Sequence, residues 1–163
     1  MSLAMQKNIG AFIESVLAGI AINVTAGAGN NASVITGTNI DLLAYGGPKS
    51  CVVTFPFTAT CASGSTLSLA AYLQSTADVL NGPWVNVATM AAEVVETGVA
   101  GGAAQSLTVD FDVDLSGSKR YVHVCYVPTC SRAGTDTVNI YPPILTLAGQ
   151  AELPDATTPS YSA

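Results

Sequence analysis

One histidine, four cysteines, a scatter of carboxylates and many serines are the residues here whose types could carry catalysis or hold a metal. A Ser-His-Asp relay needs an exposed nucleophile beside a base, and no Gly-x-Ser-x-Gly elbow is present. His123 sits inside an alternating apolar run, where a hydrogen-bonded structural role is the expectation. Glu93 and Glu96 could act as an acid and base pair only if a cleft set them at a suitable separation. Asp110-x-Asp112-x-Asp114 opens like a calcium loop. Such a loop needs Gly at its sixth position and Glu at its twelfth, and Leu115 and Tyr121 stand there. Gly98-Val99-Ala100-Gly101-Gly102 lacks the Gly-Lys-Ser/Thr ending of a phosphate-binding loop. Cys51, Cys61, Cys125 and Cys130 form no Cys-x-x-Cys pair, and with one histidine they make no zinc signature. Cys51 and Cys61 could face each other across a hairpin, but buried free thiols are the expectation. The sequence therefore predicts no catalytic residue, no metal and no cofactor.

The elements that would position these groups read as strands. Leu107, Val109, Phe111, Val113 and Leu115 alternate with Thr108, Asp110, Asp112 and Asp114, so an apolar row faces inward and an acidic row outward. Ser116-Gly117-Ser118 turns the chain into Lys119–Val127, which Pro128 stops. Thr137–Tyr141 leads through Pro142-Pro143 to Ile144–Ala148. Upstream, Ser33–Thr36 and Asn39–Ala44 flank a turn at Gly37, and Tyr45-Gly46-Gly47-Pro48 is a further turn. Cys51–Thr60 is a strand whose Pro56 predicts an edge position or a bulge. Leu67, Leu69, Ala71 and Leu73 alternate with Ser68, Ala70, Tyr72 and Gln74 over Thr66–Ser75. Trp84–Met90 and Glu93–Thr97 complete the set. Short strands with Gly, Ser, Pro and Asp between them predict an all-β jelly roll or β-sandwich. Trp84, Tyr72, Tyr121, Tyr126 and Tyr141 all fall on strands, and their large apolar bodies are expected in the core, hydroxyls near the rim.

Composition narrows the function. Of 163 residues, 49% are hydrophobic and only 10% charged, against about 25% in an average protein. So few charges leave apolar surface that contact with other subunits would cover. The net charge is −6 and, of five basic residues, only Lys119 and Arg120 are adjacent, which argues against nucleic acid as a direct partner. No stretch reaches the ~20 apolar residues needed to span a bilayer, so no membrane association is expected. Ile9–Val24 is mostly apolar, but Glu14 within it argues against a cleaved secretory signal. Ile9, Phe12, Ile13, Val16 and Leu17 fit helical spacing. The expectation is an N-terminal arm or short helix over residues 1–29, with Phe12, Ile13, Val16 and Leu17 as candidate interface residues. A β-sandwich domain over 30–149 and an extended tail over 150–163 follow.

Leu67-Ser68-Leu69 to Gln74-Ser75, Gly82-Pro83-Trp84, Leu115-Ser116-Gly117-Ser118-Lys119-Arg120-Tyr121 and Thr135-Asp136-Thr137-Val138 occur in this order. In order and spacing, from about Asn39 to Gly149, the chain resembles the small jelly-roll cement, or head-decoration, proteins of tailed bacteriophages. The resemblance implies a non-enzymatic structural protein on the outer surface of a virion head, made in the host cytoplasm. It would form a homotrimer, contact the major capsid protein and stabilise the joints between capsid subunits. It carries no site residues, because that family shares no catalytic motif. A carbohydrate- or receptor-binding β-sandwich module of a phage fibre is the alternative, and exposure of Trp84 with two tyrosines on one face would favour it.

Overall fold

Side-chain alternation becomes strand along most of the chain in the computed structural model, which describes residues 13–132 and 135–149. Eleven strands follow in order: β1 (Ile13–Leu17), β2 (Ile22–Thr25), β3 (Ile35–Thr36), β4 (Ile40–Asp41), β5 (Ser50–Thr60), β6 (Thr66–Thr76), β7 (Val85–Thr97), β8 (Gln105–Asp114), β9 (Tyr121–Cys130), β10 (Thr137–Ile140) and β11 (Ile144–Ala148). All named pairings are antiparallel. One sheet holds β1, β2, β5, β8, β10 and β11, and the other holds β3, β4, β6, β7 and β9.

Several strands are one lane broken in two. β10 and β11 share one side of β5, and β8 runs along its other side. β2 and β1 lie on β10 and β11, while β3 and β4 share one side of β9. Counted as eight lanes in chain order, the first sheet reads 1-8-3-6 and the second 2-7-4-5. That is the two-sheet weave of a jelly roll, with the all-β class the alternation predicts.

The inner rows are the predicted ones. Leu67, Leu69, Ala71 and Leu73 of β6 face Val53, Phe55 and Phe57 of β5, all buried in one cluster with Val122, Val124 and Tyr126 of β9. Phe55 and Tyr126 meet edge to face with centroids 5.3 Å apart, joining the sheets at their centre. Gly37 is required by close approach, since a Cβ there would strike the carbonyl oxygen of Ala18.

Of the two N-terminal expectations, an arm or a short helix, the helix is corrected over the described residues. Ile13–Leu17 and Ile22–Thr25 are strands of the first sheet, not a helix, and so extend the sandwich upstream of Asn30. Pairing with β11 and β10 gives these backbone groups partners that a short, β-branched helix in water could not hold. Tertiary pairing overrides the local spacing. Pro56 is a second correction, because β5 is central and pairs on both sides. Its carbonyl accepts from the Tyr141 N–H at 2.9 Å. The register along β10 and β11 slips by one residue across Tyr141–Pro143. The missing proline N–H thus falls at a seam where the ladder is already interrupted. Finally, Trp84–Met90 and Glu93–Thr97 merge into one strand, β7, with three register slips against β6. One lies between the Ala71–Met90 and Leu69–Glu93 pairs, where the sequence suggests a break.

Candidate interaction surface

His123 lies on the outward side of β9, yet it is only 6% exposed. Gln74, opposite it on β6, places Oε1 2.9 Å from Nε2. Asn39, between β3 and β4, places Oδ1 3.1 Å from Nδ1. The turn before β7 lays Trp84 flat on the imidazole, with centroids 3.7 Å apart and planes 20° from parallel. Gln74 is oriented by its own amide, which donates to Asn86 Oδ1 at 2.9 Å. Burial depresses the His123 pKa and favours the neutral ring. A catalytic relay needs a hydroxyl on one ring nitrogen and a carboxylate on the other, and here side-chain amides occupy both positions. His123 is a structural lock.

The other sequence candidates are separated by the fold. All four cysteines are buried free thiols. Burial pushes the Cys51 thiol up to about 12 and the Cys130 thiol up to about 11, so neither is a ready nucleophile or ligand. Among the described residues, no His, Cys, Asp and Glu side chains gather into a metal-binding group. Gly98 serves packing: a Cβ there would strike the carbonyl oxygens of Ala62 and Cys61. Asp136, which sequence reasoning missed as a structural residue, is fully buried and accepts from the Ala62 N–H at 2.8 Å. Its backbone carbonyl receives the Ala26 N–H at 3.0 Å, tying the end of β2 to the same corner.

The outer face of the first sheet is a different kind of surface. Register places Ile13, Ala148, Ser50 and Asp114 in one row across four strands. Ser15, Thr146, Val52 and Asp112 form the next, and Leu17, Ile144, Thr54 and Asp110 the third. Apolar side chains thus flank the Ser15–Thr146 hydroxyl pair on the β1–β11 side, Ser50, Val52 and Thr54 hold the middle, and three aspartates the β8 margin. Leu17 is 62% exposed and Ile13 40% exposed. A shallow groove of about 460 Å³ opens between Ile13, Val52, Asp112, Thr146 and Ala148. Ser15 and Thr146 hydroxyls pair at 3.3 Å, and Thr54 Oγ1 donates to Asp110 Oδ1 at 2.7 Å.

Of the predicted interface residues, Ile13 and Leu17 share this outer face. Val16 turns inward against the core, because a strand sends neighbouring side chains to opposite faces. Phe12 lies outside the described residues. Glu14 also turns inward, and among the described residues its buried Oε2 has no hydrogen-bond partner. At the sandwich end, Asp41 is held in a two-nitrogen grip by Arg120, with the closest contact 2.7 Å. That bond, with help from the Leu43 N–H, holds its carboxyl below the usual carboxylate range. Lys49 joins Lys119 and Arg120 around a concavity there, a grouping invisible in the sequence because 70 residues part Lys49 from Lys119.

No family model and no curated protein matches the sequence. The fold does match solved structures. The VP2 subviral particle of infectious bursal disease virus aligns over 87% of this chain at 16% identity, with a TM-score of 0.50. The structure of the Gt strain of the same virus aligns over 87% at 14% identity, with a TM-score of 0.52. In both, the match covers 34% of that chain, so this protein spans about a third of their length. At such identity the likeness is one of fold: this chain and those viral proteins share a jelly roll.

Proposed function

We propose that this protein is a non-enzymatic structural component of a virus particle, and more finely a decoration protein on the outer surface of a phage head. In this reading it sits on the major capsid protein as a homotrimer and stabilises contacts between capsid subunits. The observation that carries it is the outer face of the first sheet, where Ile13, Leu17, Val52, Ile144 and Ala148 form an apolar strip on a jelly roll. A chain with 10% charged residues that leaves such a strip open is suited to contact with other subunits. The matched fold in a protein of a subviral particle supports the assembly role.

A second reading has its own observation. Trp84, Tyr72 and Tyr121 all face outward on the second sheet and are each half-buried, as in a carbohydrate- or receptor-binding fibre module. Against it, His123 covers one face of Trp84 and the Arg120 guanidinium lies 4.9 Å from the Tyr121 ring. Immunogold labelling of intact virions decides. Gold over the head surface supports the decoration role, gold on tail fibres supports the second reading, and unlabelled virions overturn both.

A further inference from the structure

β8 is the regular edge of the first sheet. It pairs with β5 through ten residues without a slip, and among the described residues no strand pairs with its other side. The other long edge, β7, slips three times against β6. Bulges, proline and lysine are devices that stop an edge from templating another strand, and β8 has none of them. Along its inner row Phe111 and Val113 are buried, Val109 is half-buried and Leu107 is 37% exposed, so the apolar margin opens towards Leu107. Its outer row runs Ser106, Thr108, Asp110, Asp112, Asp114, with hydroxyls at one end and carboxylates at the other.

That polarity makes the strand complementary to its own reverse. Two antiparallel copies of β8 must keep inner row against inner row, because a slip of one residue would turn the apolar set to the wrong face. With Val109 facing itself, 105–113 of one copy lie along 113–105 of the other, nearly the whole strand. Asp110 then faces Thr108 and Asp112 faces Ser106, in both halves of the contact. Leu107 faces Phe111, which covers the open end of the apolar margin. Centring the pair on Asp110 would set that carboxylate directly against its own copy, and like charges directly opposite are destabilising. Centring it on Thr108 keeps the acids apart but shortens the overlap. In the Val109 register the nearest carboxylates across the axis are the two Asp110 side chains, diagonal neighbours about 7–8 Å apart. The sheet already contains the threonine–aspartate pairing this needs, since Thr54 on the β5 side donates from Oγ1 to Asp110 Oδ1 at 2.7 Å. The aspartates thus select one register for a second β8 and leave its backbone pairing open.

We infer that β8 pairs antiparallel with β8 of a second copy about a two-fold axis at Val109, joining the two first sheets into one. The contact is isologous and closes on itself. In a homotrimer it would be the joint to a neighbouring trimer. The inference goes beyond the capsid reading and does not rest on it. Its test needs no virion, so the labelling result and this one stand or fall separately.

The full chain carrying the photo-crosslinker benzoylphenylalanine in place of Ser106 is irradiated, and its products are mapped by mass spectrometry. The expected link joins position 106 to 111–113 of a second copy. Within one chain, positions 106 and 112 are about 20 Å apart along the strand, so such a link comes only from a second copy. Links that miss 111–113, or no link, overturn the inference. Should that variant not fold, two substitutions at the exposed Thr108 decide, read by sedimentation equilibrium. Thr108→Asp faces Asp110 in both halves of the contact and is expected to raise the dissociation constant of the pair at least tenfold. Thr108→Lys is expected to leave it unchanged or to lower it. An unsubstituted chain that stays monomeric, a smaller rise for Thr108→Asp, or an equal rise for Thr108→Lys overturns the inference.

Discussion

If the stack on His123 is a real fastening, removing it should cost an amount that the contacts themselves predict. His123→Ala deletes the one hydrogen bond that a neutral ring can donate to a facing amide oxygen, worth about 1 kcal/mol net, and an aromatic contact worth about 0.5–1.5 kcal/mol. A loss of about 2 kcal/mol follows, and at about 2–4 °C per kcal/mol for a chain of this size Tm falls by roughly 4–8 °C. Trp84→Ala removes the same contact from its other side. In a double-mutant cycle the two changes should be sub-additive by about 1 kcal/mol, the value of the stack alone. Urea unfolding followed by circular dichroism is the assay, because Trp84→Ala removes the one tryptophan. A coupling within the additivity scatter of about 0.3–0.5 kcal/mol would refute the reasoning, since the ring contact would then carry no energy of its own.

Acidification should weaken the fold through the same residue. Burial holds the folded His123 pKa below 6.5, so on acidification the unfolded chain takes up the proton first. The histidine contribution is then complete above pH 6.5 and is lost as pH falls through the lower folded value; an equal slope in urea midpoints for His123→Gln would contradict this. All four thiols should resist a thiol reagent at pH 8 in the native protein and react at once in denaturant; fast native labelling of Cys51 or Cys130 would show the burial to be wrong. Gly98→Ala should destabilise by about 2 kcal/mol as its methyl is driven into two backbone carbonyls, measured by urea midpoint. Ile13→Asp with Leu17→Asp should leave stability within about 1 kcal/mol, because both side chains point outward, while sedimentation shows self-association or head binding lost.

Much of the architecture is legible residue by residue. Period-two alternation in Thr66–Ser75 and Leu107–Leu115 specifies strand and inner face together, since a strand has only two faces and water excludes one set of side chains. The turns at Tyr45–Pro48 and Ser116–Ser118 are likewise local, and Gly46 closes a short 3-10 turn at φ 71° as its residue type allows. The shortage of charge sets the expectation of subunit contact on which the proposed function draws.

What the sequence could not decide depends on partners far along the chain. Ile9, Phe12, Ile13, Val16 and Leu17 have helical spacing, and only the presence of β11, more than 120 residues later, makes Ile13–Leu17 a strand. Pro56 reads as an edge signal until β10 and β11 are seen to meet beside it. The candidate surface is the clearest case. Ile13, Val52, Asp112 and Thr146 are neighbours only because four strands from separate parts of the chain are laid in register. Hydrophobic pattern says which way each side chain faces. Which residues then become neighbours is set by long-range pairing, and that information exists only once the chain has folded.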